Sequence, residues 1–213
     1  MSWKALNEAK IFLLFLGVGI LIFALWKYWP GVALLSLASL GVALFFRDPS
    51  RTIPDNPMAI VSPADGTVDA IEELPHIEAL QGPGKRVSIF LSVLDVHINR
   101  VPYEGEIRSI SYHPGRFLDA RHAESARLNE NQLWLLETSR GTIGVRQIAG
   151  LIARRIVGWL QQGDKVKTGQ RLGLIKFGSR TDLYLPLHTE IQVRIGQKVK
   201  GGTTIIAHWT QSL

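Results

Sequence analysis

The first 46 residues are dominated by apolar side chains, in contrast to the rest of the chain. Residues 11–26, IFLLFLGVGILIFALW, carry no charge, and a second uncharged run follows Lys27 and extends to Phe46. A Pro-Gly pair opens the second run, where a turn is expected. Each run is close to the length that a helix needs to cross a bilayer. The pattern therefore predicts a membrane-anchoring hydrophobic helical hairpin over residues 1–46.

Charged and aromatic residues flank these two runs in a pattern typical of membrane proteins. Aromatic side chains cluster between the runs, as in an interfacial belt, and basic residues lie on both outer sides, at Lys4, Lys10, Arg47 and Arg51. This bias predicts that the domain after the hairpin lies on the cytoplasmic face of the cell membrane. A cleaved secretory signal fits less well, because no small-residue cleavage site follows the first run. Whether the hairpin spans the bilayer or is a shallow, re-entrant one stays open.

Beyond the hairpin the pattern changes to short apolar runs separated by turn residues. Residues 47–58 are predicted to be a Pro-rich polar linker. Runs such as RVSIFLSV, NQLWLLETS and TEIQVRI are typical of β-strands. The polar stretch LDARHAESARLNE (118–130) is expected to be a loop rather than a helix. The prediction for residues 59–213 is a mainly β domain.

An internal repeat refines this fold prediction. The segments GDKVKTGQRLGLI (163–175) and GQKVKGGTTIIAH (196–208) share the pattern G-x-K-V-K-x-G, each a turn followed by a strand. Two similar units indicate a pseudo-symmetric sandwich. The segments SPADGTV and GDKVKTGQRLGLI also resemble biotinyl and lipoyl carrier domains, which implies a barrel-sandwich-like fold. The lysine that such carriers modify is missing, since its place is taken by about Gly178-Ser179.

The composition excludes several kinds of functional site but does not identify the reaction. The chain has no cysteine, which excludes disulfides, cysteine nucleophiles and cysteine-ligated metals. The net charge is +6, but the basic residues are scattered without the interleaved aromatic side chains of a nucleic-acid-binding surface. Because a membrane hairpin is predicted, attraction to anionic lipid headgroups is the simpler explanation of the positive net charge. His76, His122, His188 and His208 form no metal-ligand spacing, so no metal site is predicted.

The stretch LIKFGSRTD (174–182) places a Gly-Ser pair directly after a strand-like run. A simple turn is one interpretation of Gly178-Ser179. The other is reactive: glycine permits a strained backbone, and the Ser179 hydroxyl can then attack the preceding carbonyl. The resulting ester can undergo β-elimination to a dehydroalanine, which hydrolyses to a pyruvoyl group. That group is a built-in electrophilic ketone.

Five motifs in order resemble one known family. SPADG (62–66), DVHINRVPYEG (95–105), YHPGRF (112–117), NEN (129–131) and FGSRTDLYLP (177–186) are similar to the short prokaryotic type of phosphatidylserine decarboxylase, a pyruvoyl-dependent proenzyme. The similarity runs from about residue 47 to the C-terminus. It implies a precursor that cuts itself between Gly178 and Ser179, into chains 1–178 and 179–213. The covalent pyruvoyl cofactor would come from Ser179.

The resemblance also implies a reaction and a substrate. The ketone would form a Schiff base with the amine of phosphatidylserine and accept the electrons released as carbon dioxide leaves. Protonation and hydrolysis would release phosphatidylethanolamine. The implied partners are the membrane phospholipid and the two chains of one precursor, with no nucleic acid. A homo-oligomer, and the choice between a diacyl lipid and an archaeal ether lipid, stay open.

The resemblance assigns roles to a small set of residues. Asp65 matches the acidic member of the Asp-His-Ser set that drives self-cleavage, and His97 is suited to proton transfer. Longer family members have two histidines three residues apart here; His97 aligns with the first and Arg100 stands in place of the second. The base for self-cleavage is therefore open. Arg100 and Arg180 are candidates to bind a substrate carboxylate or phosphate, and His113 is a candidate pocket residue.

Two other function classes compete with a lipid decarboxylase. A membrane-tethered carrier or adaptor domain without catalysis would explain the hairpin and the repeat, but not the DVHINRVP and FGSR motifs. A basic nucleic-acid-binding protein would explain the charge alone. The motif set favours the enzyme.

Overall fold

The computed structural model describes residues 3–116, 118, 128–150, 155–176 and 178–210. The chain divides into two compact units, Met1–Ser50 and Arg51–Leu213, which we call the helical unit and the β unit. The division falls inside the predicted linker. Most of the stretch for which we expect a loop, residues 119–127, lies outside the described residues.

The helical unit confirms the predicted pair of apolar helices. They are α1 (Trp3–Leu25) and α2 (Trp29–Phe45), and the turn between them has Lys27 in the left-handed region at φ 57°. Residues Lys4–Leu25 of α1 are long and apolar enough to cross a membrane, with a mean hydropathy of 2.2, whereas α2 has 17 residues. A helix of that length spans about 26 Å, slightly less than a typical hydrocarbon core.

The β unit is built from short strands, as the alternation of apolar and polar residues predicts. The described strands are β1 (Ala59–Val61), β2 (Gly66–Ile77), β3 (Gly82–Leu91), β4 (Ile98–Arg100), β5 (Gly105–His113), β6 (Asn131–Thr138), β7 (Gly141–Ala149), β8 (Ile156–Gly158), β9 (Lys165–Val166), β10 (Arg171–Ile175), β11 (Ser179–Pro186), β12 (Thr189–Ile191), β13 (Lys198–Val199) and β14 (Ile205–Trp209). A short 3-10 helix spans Glu78–Leu80. The mainly β fold is thus confirmed.

The described strands form three antiparallel sheets. The large sheet has the order β13-β2-β3-β11-β7-β6-β5-β9, and the two small sheets have the orders β1-β14-β12 and β4-β10-β8. The main core contains buried residues of the large sheet, such as Ile89 and Leu183, together with Leu172 and Ile206 from the small sheets. β11 lies near the middle of the large sheet, between β3 and β7. The residue that begins β11 is consequently held from both sides.

The repeat found in the sequence is also a repeat in the structure. β9 and β13 lie at the two opposite edges of the large sheet, and β10 and β14 are the central strands of the two small sheets. The turn before β10 has Gly169 at φ 76°, and the matching turn before β14 has Gly202 at φ 74°. A side chain is strained in that left-handed region, which explains a glycine at both places. The predicted barrel-sandwich-like arrangement with a pseudo-repeat is confirmed.

Candidate active site

The Gly-Ser pair lies at the entrance of the central strand β11. Ser179 is the first residue of the strand and is paired with Leu91 of β3 and Ala149 of β7. Gly178 has a φ of 58°, in the left-handed region. A Cβ added there would meet no atom of another described residue within 4 Å, chain neighbours aside, so the backbone conformation and not the available space favours glycine. The bond between the two residues therefore joins a left-handed turn to a rigid strand.

The surroundings of the Ser179 hydroxyl are unusual for a buried polar group. The residue is 0% exposed, and among the residues that the structure describes its Oγ has no hydrogen-bond partner. A buried polar atom without a partner costs free energy, on the order of 1–3 kcal/mol, and is uncommon in native structures. Such a hydroxyl is suited to a reactive role, because it is not already committed to the fold.

His97 is buried close to the same end of the sheets. Its backbone carbonyl accepts a hydrogen bond from the Ile175 N–H at 3.3 Å, four residues before Ser179. Its Nδ1 lies 2.9 Å from the Asp95 carbonyl oxygen, which can only accept a hydrogen bond. Nδ1 therefore carries the proton, and Nε2 is the basic nitrogen of the neutral ring. Strand β4 begins at the next residue, Ile98.

A chain of buried polar side chains leads to the residue two places after Ser179. The Trp134 indole donates to the Gln147 oxygen at 2.9 Å, and the Gln147 amide donates to Asn99 at 2.8 Å. The Asn99 amide then donates to the Thr181 hydroxyl at 3.0 Å. All four side chains are fully buried. The chain joins β6, β7, β4 and β11, so it fixes their register beside the Gly-Ser bond.

The hydrogen bonds that the structure describes for Asp65 lead to Arg51 and Gly201, and none of them joins Asp65 to His97. Its carboxylate oxygens accept hydrogen bonds from Arg51 Nη2 at 2.9 and 2.8 Å, and one of them also accepts the Gly201 N–H at 2.8 Å. The ion pair is largely buried, with side-chain exposures of 8% for Arg51 and 14% for Asp65. The carboxylate thus ties the SPADG turn to the second copy of the repeat.

Arg100 contacts the turns of both copies of the repeat. Its Nη1 donates to the Gly169 carbonyl at 3.0 Å, and its Cδ is the atom nearest to a Cβ built on Gly202. The neighbouring Asn99 contacts Thr181 of β11. Successive side chains of a strand point to opposite sides, which explains why adjacent residues serve different regions.

Arg180 and His113 occupy the row of the large sheet next to Ser179. The Arg180 guanidinium donates to the Asp182 carboxylate through Nε at 2.8 Å and Nη2 at 3.0 Å, and both side chains are buried. Burial and the nearby Asp182 charge also raise the pKa of Tyr184 to about 12, so its phenol stays protonated at neutral pH.

His113 ends β5, on the same row as Arg180 but separated from it by two strands, and its side chain is exposed.

The NEN motif holds the strand end that faces Ser179. The Asn129 amide donates to the Ala149 carbonyl at 2.8 Å, and the Ala149 N–H donates to the Glu130 carbonyl at 2.9 Å. Both backbone groups of Ala149 are therefore bound by the motif. Because Ala149 pairs with Ser179, these bonds stabilise one wall of the candidate site.

Several of these residues carry a signal in the sequence that is easily missed. Gln147 and Thr181 are polar residues that alternate with apolar or differently directed neighbours in β7 and β11, and both are fully buried, which indicates a buried hydrogen-bond network. Arg51, which the flanking-charge pattern assigns to membrane orientation, is instead the partner of Asp65. In the described part of the chain no group of three or more His, Cys, Asp or Glu side chains could hold a metal ion.

Comparisons with known proteins agree with this picture. Residues 40–207 match the family model described as phosphatidylserine decarboxylase. The phosphatidylserine decarboxylase proenzyme of Carboxydothermus hydrogenoformans is 45% identical over 94% of this chain and 94% of its own length. Proteins of the same name from Desulfotalea psychrophila and Novosphingobium aromaticivorans are 46% and 45% identical, covering 80% and 97% of this chain and 80% and 87% of their own lengths. The chain therefore belongs to the phosphatidylserine decarboxylase family.

Proposed function

We propose that this protein is a proenzyme that cuts itself between Gly178 and Ser179 and then decarboxylates phosphatidylserine to phosphatidylethanolamine. The observation that carries the proposal is the Ser179 hydroxyl, fully buried and without a described hydrogen-bond partner, directly after a left-handed glycine. Membership of the family, whose matched relatives are named as proenzymes of this activity, supports it.

Self-cleavage follows from the chemistry of these two residues. Ser179 Oγ attacks the Gly178 carbonyl carbon, the peptide C–N bond breaks, and the hydroxyl proton passes to the released amine. Loss of the Ser179 Cα proton then expels the Gly178 carboxylate, which leaves a dehydroalanine. Addition of water and release of ammonia convert this into a pyruvoyl group. The turn at Gly178 lets the chain ends separate after the cut, while β3 and β7 hold residue 179 in place.

The residues around position 179 fit a pyruvoyl group. Such a group supplies a ketone that accepts the electrons released as carbon dioxide leaves. With Nδ1 facing the Asp95 carbonyl, His97 has Nε2 for proton transfer, and the Asn99–Thr181 hydrogen bond keeps the start of β11 in register. Arg180 directly follows residue 179 in β11, and its guanidinium, which is bound by Asp182, is the group that we propose to attract an anionic headgroup.

The purified protein is expected to consist of two chains, residues 1–178 and residues 179–213. The second chain should lack a free amino terminus, because the pyruvoyl group replaces it. Intact-mass measurement tests both statements, and release of labelled carbon dioxide from phosphatidylserine labelled in the serine carboxyl tests the activity. A single uncut chain without turnover would instead favour a membrane-tethered carrier or adaptor domain.

The apolar helix pair supports a location at the membrane, and we propose that the β unit lies on the cytoplasmic face. Large side chains of the pair are widely exposed, including Phe15 at 71% and Leu37 at 67%. Burial of apolar surface is worth about 0.8 kcal/mol per methylene and does not depend on salt screening. We therefore expect full-length protein to stay with membranes in high salt and a chain without residues 1–46 to be released. Equal retention of both in a sedimentation assay would exclude the hairpin as the anchor.

A further inference from the structure

An exposed apolar turn lies at the same end of the large sheet as the Gly-Ser bond. β3 ends at Leu91, which is paired with Ser179, and the chain then turns through residues 92–95. Leu94 is 82% exposed and Val93 is 47% exposed. No other large apolar residue described in the β unit is as exposed as Leu94. The proposed reaction centre and this apolar turn are therefore neighbours on one end of the sheet.

The turn is ordered and not a loose loop. The Asp95 carboxylate accepts hydrogen bonds from the Ser92 N–H at 2.8 Å and from the Ser92 hydroxyl at 2.6 Å. The Asp95 N–H donates back to the Ser92 carbonyl at 2.9 Å. These bonds close the turn at its base, so Val93 and Leu94 are presented at its tip.

A lysine lies beside the apolar tip. Lys198 Nζ is 3.7 Å from the Asp95 carboxylate, and its side chain is 68% exposed. A surface ion pair of this length and exposure contributes little to stability, so the ammonium remains able to interact with other anions. An apolar tip with an adjacent cation is the combination that binds an anionic bilayer, the leucine in the acyl boundary and the lysine among the headgroups.

We infer that the Val93-Leu94 turn is a second membrane contact, which inserts into an anionic phospholipid bilayer and presents the β11 entrance to the lipid headgroups. The inference rests on the proposed function, since the substrate of that reaction is a bilayer lipid. Its headgroup must reach residue 179 while its acyl chains stay in the membrane. A protein partner fits less well, because two side chains on one turn fall far short of the roughly 1,200–2,000 Å² that a stable interface buries.

The absence of cysteine from the chain gives a direct test. Leu94→Cys in the full-length protein provides a single site for an environment-sensitive fluorophore. Leu187→Cys is a matched control, since Leu187 is 40% exposed and lies just after the end of β11, and this strand end is about 24 Å from Ser179. In vesicles of phosphatidylcholine and phosphatidylserine, quenchers attached to the lipid acyl chains should quench the label at 94 and not at 187. Equal quenching at both sites, or none at 94, would overturn the inference.

A charge variant tests the role of the lysine. Lys198→Glu should reduce quenching at position 94 in vesicles that contain phosphatidylserine, and should have little effect in phosphatidylcholine alone. The same loss in both lipids would contradict an electrostatic role for Lys198. Leu94→Asp should also lower turnover of bilayer phosphatidylserine relative to dispersed short-chain phosphatidylserine by about 10- to 100-fold. An unchanged ratio of the two rates would contradict insertion.

These measurements separate the inference from the proposed function. Quenching at position 94 needs neither self-cleavage nor decarboxylation. Quenching in a protein that stays uncut and releases no carbon dioxide would refute the function and leave the membrane contact standing. Full turnover without quenching at position 94 would refute the contact alone.

Discussion

Ser179→Ala is expected to yield one uncut chain with no decarboxylase activity. Alanine has no hydroxyl to attack the Gly178 carbonyl, and no alternative nucleophile can generate a pyruvoyl group at position 179. The effect should be all or none, because both the cut and the cofactor derive from the same atom. Gel electrophoresis and intact mass measure the cut, and labelled carbon dioxide measures turnover. Cleavage of the Ser179→Ala protein would contradict the proposed mechanism.

The structure offers a matched control for this variant. Ser88, on the neighbouring strand β3, is 1% exposed, and its Oγ likewise has no hydrogen-bond partner among the described residues. Ser88→Ala removes the same atom from a similarly buried place, away from the Gly-Ser bond. We expect this variant to cut itself normally. If it also stays uncut, loss of a buried hydroxyl is impairing the fold, and the Ser179→Ala result no longer identifies the nucleophile.

His97→Ala is expected to block self-cleavage or to slow it by about 10²- to 10⁴-fold, the usual contribution of a positioned acid or base. Arg100 cannot replace it as a base, because a guanidinium stays protonated in proteins. His97→Gln keeps a similar shape and a donor but lacks the basic nitrogen, so we expect it to be impaired as well. Cleavage and turnover are measured together. Normal values for both in His97→Ala would remove this residue from the mechanism, and a defect in turnover alone would assign it to decarboxylation.

Asp65 needs a different control, because its carboxylate pairs with Arg51 and not with His97. Removing one partner of a buried ion pair costs about 3–5 kcal/mol, so Asp65→Ala can abolish cleavage through stability alone. Arg51→Ala breaks the same pair from the other side. If both variants lose cleavage and stability equally, Asp65 acts through the fold. A cleavage defect confined to Asp65→Ala at equal stability would show that the carboxylate takes part in the chemistry.

Much of the fold follows from local sequence patterns. Two uncharged runs around a Pro-Gly turn predict the helix pair, and short alternating runs predict the strands of the β unit. The repeat at residues 163–175 and 196–208 predicts a pseudo-symmetric arrangement, because glycines at equal spacing mark turns that need a positive φ. These are properties of a few consecutive residues, so they can be recognised without knowledge of distant contacts.

The contacts of the candidate site residues were harder to predict from the sequence than the fold. The motif SPADG and the DVHINR segment single out Asp65 and His97 as a pair, whereas the structure directs Asp65 to Arg51 and Gly201. The DVHINR segment alternates polar and apolar residues as a strand does, but β4 begins only at Ile98, since the preceding residues form a turn that is closed by side-chain hydrogen bonds. Such bonds compete with strand pairing and are hard to recognise in a single sequence.

The sequence by itself determined the apolar helix pair, the mainly β fold, the repeat and the family resemblance, and it singled out the bond between Gly178 and Ser179 for the proposed reaction. Only the tertiary structure decided which side chains meet around that bond. Strand pairing brings Leu91 and Ala149 against Ser179 from distant parts of the chain, and the polar chain to Thr181 depends on residues from three other strands. The physical reason is that a lone buried hydroxyl is a property of the packed interior. Its burial, and the lack of a hydrogen-bond partner among the described residues, are set by all the neighbours together and by no local pattern.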